Sequence, residues 1–91
     1  MQRKYKAKIF VTLRPSVLDP AGTAVQSGLA QLGYNNVESC RIGKYIELTL
    51  TSPDEKIARQ DLEKMCDSML ANPVIENYRF DLIEVESQVG V

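Results

Sequence analysis

The stretch at residues 40–51, Cys-Arg-Ile-Gly-Lys-Tyr-Ile-Glu-Leu-Thr-Leu-Thr, constrains the fold more tightly than any other part of the chain. Ile46, Leu48 and Leu50 alternate with Tyr45, Glu47, Thr49 and Thr51. A period of two sends aliphatic side chains to one side of a strand and polar ones to the other. On each side of this run lies a strand-like segment coupled to a helix-like segment. A strand so placed is expected to form the middle of a sheet that two similar halves share.

In the first half, Tyr5, Ala7, Ile9, Val11 and Leu13 form the apolar side of a strand, with Lys6, Lys8, Phe10, Thr12 and Arg14 opposite. Pro15 removes a ladder donor and restricts Arg14, so the chain leaves the strand there. Asp19 followed by Pro20 reads as an N-cap and first helical residue. Ala21, Val25, Leu29 and Leu32 recur at helical spacing as the expected buried stripe, and Gly33 supplies the cap. Gly22 and Gly28 each weaken this helix by about 1 kcal/mol relative to alanine. It therefore needs tertiary packing, and Gly28 is expected to mark a close approach to another backbone.

After the turn residues Tyr34, Asn35 and Asn36, residues 37–42 read as a second strand. Gly43-Lys44 is then either a tight hairpin turn or a glycine bulge in one long strand. Ser52-Pro53-Asp54-Glu55 has the form of a capping box with proline at the first helical position. Ala58, Leu62, Met65, Cys66 and Met69 form the expected buried stripe of the second helix, with Glu55/Arg59 and Arg59/Glu63 paired on its wet side. Asn72-Pro73 stops it. Residues 74–84 alternate as a last strand, Tyr78, Phe80 and Leu82 against Arg79, Asp81 and Ile83, and residues 86–91 read as a loose tail.

The order strand, helix, strand, strand, helix, strand predicts a single α+β domain over residues 1–91, ordered from about 4 to 86. The expected topology is βαββαβ, ferredoxin-like and two-layered, with two helices on one face of an antiparallel sheet. The other face is left open, and by alternation it carries Lys6, Lys8, Phe10, Thr12, Tyr45, Glu47, Thr49, Arg79, Asp81 and Ile83. Aromatic side chains and arginine are what interfaces enrich, so this face is expected to meet a protein. A chain of 91 residues is also short on spare stability, and burial against a partner would add to it.

Eleven basic and 12 acidic residues leave a net charge of -1, which provides no field for a nucleic acid or an anionic membrane. No apolar run approaches the roughly 20 residues of a membrane span, and the opening residues lack the apolar core of a signal peptide. A cytoplasmic location is the expectation. Cys40 and Cys66 are too few for a disulfide scaffold and fall at apolar positions, as buried thiols in a reducing compartment would.

Chemistry is hard to find. The chain has no histidine, hence no member of the commonest class of general base and nitrogen ligand. No Cys-x-x-Cys spacing and no phosphate-binding loop occur, because Gly43-Lys44 precedes a strand where such a loop precedes a helix. Gly43-Lys44-Tyr45 resembles an RNA-stacking position only faintly, and the surrounding run of that module is missing. A regulatory module that binds a small molecule remains an alternative to an assembly subunit.

Three stretches, VTLRPSVLDPAG at 11–22, RIGKYIEL at 41–48 and LANPVIENY at 70–78, together resemble the small PurS subunit of phosphoribosylformylglycinamidine synthase. The likeness runs from Tyr5 to about Glu84, with Cys40 where an aliphatic residue is expected and Gly28 where alanine is. It implies a non-catalytic subunit of a purine-synthesis ligase. Such a subunit would form a dimer or tetramer and join an ATP-dependent synthetase to a glutaminase so that ammonia passes between them. It implies no catalytic, metal or cofactor site in this chain, with ATP and Mg in the synthetase partner. The residues it assigns to subunit contacts are Phe10, Arg14, Ser16, Asp19, Gly43, Lys44, Tyr45 and Glu47, with helix capping as the structural alternative for Asp19.

Overall fold

The computed structural model describes residues 2–85; the tail expected at 86–91 lies outside the described residues. Strand β1 (Arg3–Leu13) is followed by helix α1 (Pro20–Gln31), strand β2 (Gly43–Ser52), helix α2 (Glu55–Met65), a π-helical turn (Cys66–Leu70) and strand β3 (Glu76–Val85). The sheet is antiparallel in the order β2-β1-β3, with Ile9 opposite Ile46 on one side and Phe80 on the other. This is the expected ferredoxin-like α+β arrangement, reached among the described residues with three strands rather than four.

The core follows from the alternation in β1. Tyr5, Ala7, Ile9 and Val11 are fully buried, flanked by Ile46, Leu48 and Leu50 from β2 and by Tyr78, Phe80 and Leu82 from β3. Leu62 and Cys66 close the core from above. Asp54 caps α2, its carboxylate accepting the Ile57 N–H at 2.9 Å. The helix thus begins two residues later than the Ser52-Pro53 pattern implied. Ser52 is buried instead, its hydroxyl 3.2 Å from the Asp54 carbonyl.

Of the stripe expected on α2, Ala58, Leu62 and Cys66 are buried, whereas Met69 is 85% exposed. The π turn explains the change of face. A wider turn inserts about one extra residue into the helical period, so Leu70 instead of Met69 swings back to the core. Asn72-Pro73 ends the helical stretch as expected. The Glu55–Arg59 pair forms at 3.1 Å.

The first half departs further from expectation. Asp19 and Pro20 do start α1, and Gly33 follows its end with φ +98°, where a side chain would be strained. Yet the stripe Ala21, Val25, Leu29, Leu32 is not buried: Val25 is 42% and Leu32 74% exposed. Residues 37–42 form no strand, and Gly43-Lys44 is neither hairpin turn nor bulge, because the chain enters β2 directly with Gly43 opposite Thr12. The close backbone approach falls at Gly22, where a Cβ would strike the Cys40 carbonyl, and not at Gly28, which has open space around it. Helix α1 and the segment after it therefore project from the sheet as an arm. The radius of gyration, 17.7 Å, exceeds the about 12 Å of a compact chain of this length.

Candidate subunit-contact surface

Strand register decides what the open face presents. Phe10 on the central strand lies opposite Tyr45 of β2 and Arg79 of β3. Its ring centroid is 5.1 Å from that of Tyr45, and the Arg79 guanidinium sits 4.1 Å from it on the other side. A row of cation, ring and ring thus crosses three strands. Exposed cation–π contacts contribute about 0.5–1 kcal/mol, and aromatic pairs about 0.5–1.5 kcal/mol beyond their burial.

Polar groups orient the ends of this row. The Tyr45 hydroxyl donates to Glu47 at 2.7 Å, and Lys6 approaches the same carboxylate at 4.0 Å. The Tyr45 bond, with Lys6 next, holds the Glu47 carboxyl below its ordinary range and raises the Tyr45 hydroxyl. Arg79 pairs with Asp81 at 3.6 Å. These exposed pairs add little to stability. They hold side chains in place on a surface where Tyr45 and Ile83 are each 52% exposed.

The remaining contact residues expected from the sequence lie elsewhere. Asp19 is 5% exposed and turned inward, accepting the N–H of Gly22 at 2.9 Å and of Ile42 at 2.8 Å. Those two bonds, the one from Ile42 first, lower its carboxyl pKa. It braces the root of α1 against the entry to β2, so the capping alternative describes its side chain. The Arg14 guanidinium donates to the Pro73 carbonyl, and Arg41 donates to the carbonyls of Leu13 at 3.1 Å and Arg14 at 2.8 Å. Gly43 and Lys44 line an open cleft of about 530 Å3 with Val11, Leu13, Pro20 and Ile42, and Lys44 reaches Glu76 at 3.7 Å. Ser16 borders a separate, more polar hollow beside Thr23 and Gln26.

Phe10, Tyr45 and Glu47 are therefore brought together, while Arg14, Ser16, Asp19, Gly43 and Lys44 gather around the root of the arm. Arg79, absent from the expected contact set, joins Phe10. Its outward direction was readable from alternation, but its partner depends on the β1–β3 register. Among the described residues no group of three His, Cys, Asp or Glu side chains could hold a metal, and no helix is long and apolar enough to cross a membrane. Both cysteines are free, Cys66 buried and Cys40 half-buried.

The class that the fold defines is a small ferredoxin-like α+β domain with an ordered aromatic and charged sheet face and an outlying helix. Residues 6–84 match the pattern of the PurS family, Phosphoribosylformylglycinamidine (FGAM) synthase, and the chain belongs to that family. It is 64% identical over 89 residues to the Synechocystis phosphoribosylformylglycinamidine synthase subunit PurS, spanning 98% of this chain and 89% of that one. The crystal structure of Methanocaldococcus jannaschii PurS, one of the subunits of formylglycinamide ribonucleotide amidotransferase in the purine biosynthetic pathway, is 35% identical. It covers 90% of this chain and 99% of that one at a TM-score of 0.79. A chain in the structure of PurLQS from Thermotoga maritima is 30% identical, covering 90% and 98%, at a TM-score of 0.80.

Proposed function

We propose that this subunit of phosphoribosylformylglycinamidine synthase is non-catalytic and bridges the synthetase and glutaminase subunits, supporting ammonia transfer between them in purine synthesis in the cytoplasm. The supporting observation is the Tyr45–Phe10–Arg79 row on an open sheet face. Buried aromatic and arginine side chains supply most of the energy at protein interfaces, and this row offers all three already oriented. ATP and Mg act in the synthetase, and this chain holds no cofactor of its own. Self-association into a dimer or tetramer completes the module, because α1 lacks a cover among the described residues of one chain.

Reconstitution tests the reading. Added to the purified synthetase and glutaminase, the chain should restore ATP-dependent amination with glutamine as nitrogen donor; activity that is equally high without it would sink the bridging role. Tyr45→Ala with Arg79→Ala should weaken assembly while circular dichroism stays unchanged. A double variant that assembles normally would move the contact off this face.

A further inference from the structure

The open face of the sheet carries a charge that the rest of the chain does not share. By register and alternation it holds four cations, Lys4, Lys6, Lys8 and Arg79, against two carboxylates, Glu47 and Asp81. That leaves the face at +2 in a chain whose net charge is -1, so basic charge is gathered on one side. The three lysines occupy alternate positions of β1, about 7 Å apart along the strand. Lys6 reaches Glu47 at 4.0 Å, and the ion pairs among the described residues include neither Lys4 nor Lys8. An exposed pair at 4.0 Å contributes little, so a partner's carboxylate can take the place of Glu47.

Beyond the aromatic row the face is hollowed. An open depression of about 300 Å3 is lined by Phe10, Thr12, Asn77, Tyr78 and Arg79, with Thr12 opposite Asn77 and Phe10 opposite Arg79 in the register. The lining offers a hydroxyl, an amide and a guanidinium, and no carboxylate. Arg79 is set in place by the Phe10 ring at 4.1 Å, and its pair with Asp81 at 3.6 Å is exposed. A carboxylate entering the hollow meets donors from two strands, and the guanidinium gives it a charge-assisted bond.

What fits this face is long, acidic and partly apolar. Lys4 and Phe10 are six residues apart, about 20 Å of strand, so the cations lie along a line instead of converging on a point. A single phosphate would engage one end only. Phe10, Tyr45 and Ile83 lie among the charges and match apolar groups of an occupant. The same face of a second copy would set +2 against +2.

We infer that the open face receives an acidic segment of a partner subunit, one carboxylate in the hollow beside Arg79 and Asn77 and others over Lys8, Lys6 and Lys4. The inference rests on the bridging role proposed above and names the chemistry of what this face holds. Its charges set the rate of encounter and the register of docking, while the aromatic row supplies affinity.

Association kinetics with the purified synthetase and glutaminase test it. For the unaltered chain, association with one of the two should slow steeply as salt rises from about 0.05 M to about 0.5 M, because the screening length falls below the spacing of the lysines. Salt-independent association with both overturns the acidic occupant. Lys4→Gln, Lys6→Gln and Lys8→Gln together should lower the association rate at low salt about tenfold and flatten its salt dependence, with dissociation little changed. Lys56→Gln with Lys64→Gln, which removes two exposed cations from α2, should do neither. Thr12→Val with Asn77→Ala should instead speed dissociation, and unchanged dissociation overturns the seat assigned to the hollow. If the lysine variant associates as the unaltered chain does while Tyr45→Ala with Arg79→Ala still weakens assembly, the acidic occupant is overturned and the contact on this face stands. If both variants assemble normally, the bridging face falls and the inference with it. Inorganic phosphate at matched ionic strength separates the remaining case. A rise in melting temperature that the lysine variant abolishes while associating normally would assign the face to a small anion and overturn the acidic segment.

Discussion

The two helices occupy corresponding places in two similar halves and have opposite fates. Helix α2 lays Ala58 and Leu62 on the sheet and is continued into it by Cys66, all fully buried. Helix α1, one residue longer, buries only Gly22 and leaves Leu32 74% exposed. Capping does not explain the contrast, since an aspartate side chain caps the start of each helix, Asp19 for α1 and Asp54 for α2. The difference lies at the root: a buried carboxylate at Asp19 and a glycine pressed against Cys40 hold α1 to the entry of β2 and point it away from the sheet. Capping starts a helix, but only a connection of the right geometry brings its apolar side home.

The largest expected effect tests the packed side of that contrast. Leu62→Ala should destabilise the fold by about 2–5 kcal/mol in urea unfolding, since the cavity opens in a filled core. Leu32→Ala in the dilute chain should stay within about 0.5 kcal/mol, as exposed substitutions do. Equal costs for the two would erase the distinction between the helices.

Next in size is the brace. Asp19→Asn keeps the shape but loses the charge that the Gly22 and Ile42 amides favour, and the melting temperature should fall by several degrees. Because the folded carboxyl titrates below its unfolded value, its stabilisation is fully present above that value, near 3.9, and is lost as pH falls through the lower, folded one. The acid limb of the stability curve should therefore be shallower in Asp19→Asn. An unchanged limb would assign acid sensitivity to other carboxylates, Glu47 first, whose pKa is also lowered.

On the open face, Phe10→Ala removes the ring between Tyr45 and Arg79. It should weaken binding to the partner subunits about tenfold, or about 1.4 kcal/mol, measured by titration calorimetry. Binding that is unaffected would make the row a stabiliser of the sheet only.

The smallest effect belongs to Tyr78, whose hydroxyl donates to Asp67 at 3.1 Å and ties β3 to the π turn. Burial first, and then that bond, push its pKa up to about 12. A raised value means that its contribution is complete below the unfolded value near 10 and disappears as pH rises toward 12. Tyr5 and Tyr45 are raised as well, so ultraviolet titration should show a late-ionising set of tyrosines, and Tyr78→Phe should remove one ionisation from that set.

Much of this was legible in the chain. Alternation alone assigned the inward and outward sides of all three strands, so Phe10, Tyr45 and Arg79 could be placed on the open face before any pairing was known. Asp19-Pro20 and Gly33 bounded α1 because capping depends on neighbours only a few residues away. The start of α2 was misjudged by two residues since Ser52 and Asp54 are both competent caps, and burial of Ser52 selected the second. The exposure of Met69 was hidden because a π turn leaves no sign in helical spacing.

Local chemistry, then, determined which segments fold and which face each one turns to the core, as both depend on the order of side chains along a few turns of backbone. Tertiary structure decided what met across distance: that Arg79 caps Phe10, that Asp19 serves the interior, and that among the described residues 37–42 join no strand. Those outcomes depend on register and on the path of a connection, and a single strand's alternation is the same whichever neighbour it finds.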